Sequence, residues 1–148
     1  MKTLATLSLL LFSVIFTSCD ETKKVIDVAG SIQLTGSYTV SAIDGNTLVK
    51  TTNPTFTMSA LDNSFRGNTG CNSAFGNYTI EQFIIDFSDL AVSERYCSEE
   101  KIMETERNFL NALNKAGSYS LQNEVLTLYS KTDKSILLLA TKDAKTKE

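Results

Sequence analysis

No histidine occurs anywhere in the 148 residues, and its absence removes the commonest general base and the commonest metal ligand. Ser–His and Cys–His nucleophile arrangements go with it. The three cysteines, Cys19, Cys71 and Cys97, contain no Cys-x-x-Cys spacing, so a thioredoxin-like redox pair has no place. Basic charge is also short: 14 Lys and Arg stand against 17 Asp and Glu, a net charge of −3, with no basic stripe. Neutralising a phosphate backbone requires such a stripe, so nucleic-acid binding is disfavoured. There is no internal repeat, and the one proline is Pro54. The expectation is a protein without catalytic residues, cofactor or metal.

What is present begins with a leader. Met1-Lys2 carries the only early positive charge, and a run of apolar and small residues from Leu4 to Phe16 follows, with no further charge before Asp20. This is the layout of a signal peptide. The run falls short of the roughly 20 apolar residues of a membrane span. It ends in Phe16-Thr17-Ser18-Cys19, which resembles a bacterial lipobox, with Phe16 departing from the usual Leu. On this reading residues 1–18 are a lipoprotein signal peptide. Cys19 takes a diacylglyceryl group and becomes the new N-terminus, held to a membrane at about 0.8 kcal/mol per buried CH₂. The alternative is an ordinary cleaved leader with Cys19 free or paired. Cleavage removes Lys2 and nothing acidic, so the mature chain is one unit more negative. Residues 19–32, mixed in charge and without strong periodicity, read as the lipidated cysteine and a flexible tether.

Beyond the tether the pattern has period two, the mark of half-buried strands. Tyr38, Val40 and Ala42 alternate with polar residues before an Asp44-Gly45-Asn46 turn, and Phe56 and Met58 alternate after Pro54. Tyr78-Thr79-Ile80 and then Phe83, Ile85 and Phe87 continue the alternation. One segment has helical spacing instead: Ile102, Phe109, Leu110 and Leu113, with Ser98 as N-cap and Gly117 as left-handed C-cap. Glu99, Glu100, Glu104 and Glu106 could together hold a hard cation, but a solvated helix face accounts for them better. Three strands follow, near Tyr119–Leu121, Val125–Tyr129 and Ile136–Ala140, with turns at Gln122-Asn123 and Thr132-Asp133. The expected fold is mainly β (α+β): a small antiparallel, barrel-like sheet of about eight strands with one helix packed on it. The domain spans residues 33–140, and 141–148 is a charged C-terminal tail.

The segment from Gly67 to Tyr78, with Gly67, Gly70, Cys71, Asn72, Gly76 and Tyr78 at fixed places, resembles the signature of the META/HslJ family of bacterial envelope domains. Leu34–Tyr38 is similar to the family's opening strand, with Tyr38 where Trp is usual, and Pro54-Thr55-Phe56 to its second block. Leu90–Cys97 resembles the segment that ends in a second cysteine, with Ser93 and Tyr96 as departures. Glu106 and Phe109-Leu110-x-x-Leu113 match its helix, and Leu126-x-Leu128 the next strand. Read as residues, the glycines mark positive φ, a bulge or close approach, and Asn72 can hold a turn. A rigid bulged connection explains the segment better than a ligand-binding loop.

With Cys19 lipidated, Cys71 and Cys97 remain in an oxidising compartment, and pairing them is the economical assumption; two free buried thiols are the alternative. The bridge would stabilise the fold by about 3.5 kcal/mol in the chain-entropy model. The resemblance implies a non-enzymatic, lipid-anchored envelope protein that acts in stress tolerance or drug resistance by binding or scaffolding. Its implied contacts are the membrane, through Cys19, and an envelope protein partner. Localisation would be the cell envelope, at the outer membrane or a periplasmic face. The other reading is a pilot- or chaperone-like lipoprotein that holds a segment of an outer-membrane partner in an apolar groove.

Overall fold

A computed structural model describes residues 19–49 and 53–144; the expected leader, residues 1–18, lies outside them. The elements run α1 (Cys19–Leu34), β1 (Gly36–Ile43), β2 (Asn46–Thr47), β3 (Thr55–Ser59), β4 (Ser64–Asn68), β5 (Ser73–Glu81) and β6 (Ile84–Val92). Then follow α2 (Glu100–Lys115), β7 (Ala116–Gln122), β8 (Val125–Ser130) and β9 (Ile136–Lys142). Eight strands form one antiparallel sheet in the order β6-β5-β4-β3-β1-β9-β8-β7, and β2 is a short hairpin arm on β1. The sheet curls until β7 lies alongside β6. No ladder joins these two among the described residues, so the barrel is nearly closed. The ion pair between Lys131 and Asp86 crosses that seam.

Alternation puts Tyr38 and Val40, Phe56 and Met58, Phe65 and Phe87 inside the barrel. Phe56 stacks on Tyr38 at 5.0 Å between centroids, and Phe65 meets Phe87 edge-on at 5.5 Å. The inner stripe of α2 supplies Phe109, Ala112 and Leu113 to the same core. The Phe109 ring lies 6.2 Å from Phe56 and 6.3 Å from Phe65. Such ring pairs add about 0.5–1.5 kcal/mol beyond their burial.

The strand registers assign every connection to one of two ends. At one end lie α1, the β3–β4 turn, the β5–β6 turn and the β7–β8 turn. At the other lie the β1–β2 turn, the β4–β5 loop, the start of α2 and the β8–β9 turn. Three two-residue turns, Asp44-Gly45, Gln82-Phe83 and Asn123-Glu124, have positive φ at both positions, as type I′ hairpins require.

Several expectations are corrected here. The expected flexible tether is the helix α1, so two helices, not one, lie on the sheet among the described residues. The signal in the sequence was the short helical spacing of Val25, Val28 and Ile32, which face outward; the face on the barrel is Asp27, Gly30 and Leu34. A Cβ on Gly30 would come within 2.6 Å of Tyr119 Oη and 3.1 Å of Ile80 Cγ2, so the helix backbone lies directly on those side chains. Asp27 Oδ1 accepts the Gln82 N–H at 2.8 Å, and Tyr38 Oη donates to Leu34 O at 2.9 Å. Phe83 is not in a strand. Ile80 pairs with Ile85 and Glu81 with Ile84, which leaves Gln82 and Phe83 as the turn.

The expected tail begins too early, because β9 runs to Lys142 and the Asp143 N–H donates to Ser37 O at 2.8 Å. Ser98 does not cap α2: Glu99 holds the N-cap position, without a side-chain cap bond. Gly117 is not a left-handed cap either. It lies in β7, beside the register shift between Ala116 and Ser118, where an added Cβ would come within 2.7 Å of Lys131 Cα. Gly117→Ala should therefore destabilise the fold by about 1–3 kcal/mol, the usual cost of overpacking, measured by denaturant unfolding against the parent chain.

Candidate functional site

The family-like motif divides between two places. Gly76 and Tyr78 belong to β5, where a Cβ on Gly76 would come within 2.8 Å of Ser88 O; the register shift between Phe75 and Asn77 is the bulge at this close approach. Tyr78 is fully buried, and its hydroxyl has no hydrogen-bond partner among the described residues. Burial, with Asp62 and Tyr119 nearby, pushes its phenol above the usual value. Gly67 lies in β4, its missing Cβ 3.1 Å from Thr55 O.

The remaining motif residues form the β4–β5 loop. Asn68 Oδ1 accepts the Gly70 N–H at 2.8 Å, and Gly70 takes φ +95°, which a side chain would strain. The Thr69 N–H closes the loop on Asn72 O at 2.8 Å. Asn72, 3% exposed, then spends its whole side chain within the protein. Its Oδ1 accepts the Arg95 N–H at 2.8 Å and the Ser93 hydroxyl at 3.0 Å. Its Nδ2 donates to Glu106 Oε1 at 3.1 Å and to Arg95 O at 3.3 Å. One amide thus holds both backbone groups of Arg95, as a neighbouring strand would.

Glu106 arrives from α2 and is 6% exposed, so it does not belong to a solvated face with Glu99, Glu100 and Glu104. Its second oxygen takes a short hydrogen bond from Thr69 Oγ1, which itself accepts the Asn72 N–H at 2.9 Å. A carboxylate buried without such donors would be very costly. The sequence held one sign of this: Ile102, Glu106, Phe109 and Leu113 share a helix stripe. Its partners, 34 and 37 residues away, were not visible.

Cys71 and Cys97 are joined as a disulfide, their Cα atoms 6.2 Å apart, within the usual range. The bridge clamps the same two segments that Asn72 ties. Cys19 opens α1 at the opposite end of the barrel. Among the described residues no group of three His, Cys, Asp or Glu side chains is placed to hold a metal. Concavities lie elsewhere, two of them near the sheet. One is a depression of about 400 Å³ over β1, β3 and β4, lined by Ser37, Thr57, Arg66 and Asp143. The other is a cleft of about 530 Å³ between α1 and the β3–β4 turn, lined by Val28, Ile32, Leu61 and Glu81 among others.

The sequence model of the META domain matches residues 31–143. The chain belongs to the META domain family. Its fold is also that of two proteins solved by NMR. One, from Burkholderia xenovorans, is 21% identical, with a TM-score of 0.63 over 80% of this chain and 90% of that one. The second is 16% identical, with a TM-score of 0.58 over 73% of this chain and 89% of the other. No curated protein sequence matches the chain. In this META domain, then, the motif loop is a tie between the barrel end, the segment before α2 and α2 itself.

Two tests follow from the tie. Glu106→Ala strands the Asn72 amide and should cost about 2–3 kcal/mol. Glu106→Gln should cost less than about 1 kcal/mol, because its amide can serve Thr69 and Asn72 alike. In a double-mutant cycle by urea unfolding, Glu106→Ala and Asn72→Ala should be coupled by at least about 1 kcal/mol. Separately, reduction should free exactly the Cys71 and Cys97 thiols and lower the melting temperature, read by peptide mapping and calorimetry; native thiols that alkylate freely would contradict the bridge.

Proposed function

We propose that this META domain is a lipid-anchored, non-enzymatic protein of the bacterial envelope that works by binding or scaffolding. The observation that carries this reading is how the motif spends its polar groups. Every side-chain polar atom of Asn72 is bonded within the protein, and both Glu106 oxygens are occupied. The signature therefore serves as architecture, and the outer surface is left for contact with other molecules. The leader sequence ending at Cys19 supports the anchor, and family membership supports an envelope role in stress tolerance or drug resistance.

A pilot-like lipoprotein would want a groove lined by aromatic rings. The cleft beside α1 instead mixes Val28, Ile32 and Leu61 with Asp27, Asn63 and Glu81, which favours the scaffolding reading.

Cys19→Ala should leave full-length precursor or release the protein from membranes, and mass spectrometry of the parent chain should find acyl chains on an N-terminal Cys19. The same variant should fail to complement a stress or drug-sensitivity phenotype of the deletion strain. A mature N-terminus elsewhere, without lipid, would overturn the anchor.

A further inference from the structure

Among the described residues, seven of the eleven exposed large apolar side chains gather at one end of the barrel. Val25, Val28 and Ile32 of α1 are 68%, 52% and 62% exposed. They occupy the helix face opposite Asp27, Gly30 and Leu34, which pack on the barrel, so α1 turns its apolar face outward. That is the reverse of the usual orientation on a globular domain. Leu61, at the tip of the β3–β4 turn, is fully exposed, and Phe83 and Ile84, at the β5–β6 turn, are more than half exposed.

Phe83 carries a second sign. It has φ +71° at a type I′ turn position, which Gly or Asn fills at lower cost. A bulky ring held there against its backbone preference, and pointing into solvent, points to a function for the ring. The turns at the other end are Asp44-Gly45 and the polar run Lys131–Lys134. Val49, Tyr96 and Ile136 are exposed there and Phe75 on β5, each on a separate segment.

We infer that the α1 end of the domain seats on the surface of a lipid bilayer, with α1 lying in the interfacial plane and Leu61 and Phe83 dipping into the acyl region. This rests on the proposed lipid anchor at Cys19 and deepens it. Cys19 is the first residue of α1, so acyl chains on it place the start of this helix at the membrane. Sixteen helical residues span about 24 Å, and their inner face is pinned to the barrel, so the end that bears the apolar residues stays at the bilayer. Lys24, exposed beside Val25 and Val28 on the outward face, lies where headgroup phosphates would meet it, whereas Lys23 lies on the side of Asp27, near Glu81 and Gln82. Asp62 and Glu81 lie beside Leu61 and the β5–β6 turn. Seating is therefore driven by apolar insertion and depends weakly on the anionic lipid fraction.

The sequence contains no tryptophan, so Phe83→Trp, Leu61→Trp and Tyr96→Trp each install a single reporter. The acylated proteins, purified from membranes, are placed in vesicles of phosphatidylethanolamine and phosphatidylglycerol whose acyl chains are brominated. Fluorescence from Phe83→Trp and Leu61→Trp should be blue-shifted and quenched several-fold more than that from Tyr96→Trp. If the protein co-sediments with vesicles but all three remain equally unquenched, the anchor stands and the seated face is overturned. If Cys19 proves to carry no lipid, the processed chain as made tests the face alone. Quenching at positions 61 and 83 on added vesicles then supports it, and its absence overturns it. A blue shift that grows with protein concentration without vesicles would assign the face to a second copy and overturn the proposal. Phe83→Gly separates seating from folding. Relief of the turn should raise the melting temperature, while brominated-lipid quenching of a tryptophan at position 61 in the same chain should fall at least about twofold. Unchanged quenching there would count against insertion of this end.

Discussion

A buried carboxylate must be satisfied where it lies, and Glu106 is satisfied only if the β4–β5 loop has one particular shape. Thr69 and Asn72 reach it together because Gly70 turns the backbone through positive φ and Asn68 holds the Gly70 N–H. The same Asn72 amide fixes the backbone of Arg95, and the Cys71–Cys97 disulfide closes the arrangement two residues further on. The path from β6 into α2 is thereby set, and with it the place where Phe109 and Leu113 enter the barrel. Because buried polar groups are costly unless all are paired, this network has few acceptable alternatives. It therefore selects one docking of the helix where apolar packing alone would tolerate several.

The barrel itself needs that help. Its edge strands β6 and β7 meet without a ladder among the described residues, and a sheet curled this way leaves two open ends. The end bearing the motif is closed by α2, through ring packing beneath and the polar tie above. The α1 end is closed by contact of a different kind: a glycine lying on Tyr119 and Ile80, a carboxylate on a turn N–H, a carbonyl taking a tyrosine hydroxyl. These contacts use Asp27, Gly30 and Leu34 of α1 and leave Val25, Val28 and Ile32 outside. One end of the domain has thus spent its chemistry on cohesion, and the other still has surface to offer.

For function, this division separates the most recognisable part of the chain from the part available for contact. The glycines, Cys71 and Asn72 identify the family, yet their side chains and missing side chains answer to neighbours in the fold. Gly67 and Gly76 admit close backbone approach, Gly70 a left-handed turn, and Cys71 a covalent tie. A motif of this kind reports on architecture, and the activity of a META domain is to be sought on surfaces the motif does not mark.

The strands, the helix α2, the barrel-like sheet and the cysteine pair were legible in the residues, because period-two and helical spacings are local properties and the cysteines are few. Which groups would be buried together was not. Glu106 was visible as one of four acidic residues on a helix, and only the approach of Thr69 and Asn72, 37 and 34 residues distant, made it an interior group. Phe83 fitted the alternation of β6 until the pairing of Ile80 with Ile85 made it a turn residue. Gly117 suited a helix cap, but the approach of Lys131 assigned it to a bulge. The stretch after Cys19 looked like a tether because its helical apolar spacing, Val25, Val28 and Ile32, is short and set among charged and small residues, while α1 binds the barrel through Asp27, Gly30 and Leu34. The amino-acid sequence by itself determined the strands, the helix α2 and the family, each written in neighbouring residues. Only the tertiary structure decided burial, turn position and the outward apolar face of α1, because these depend on which distant segment comes to lie across from each residue.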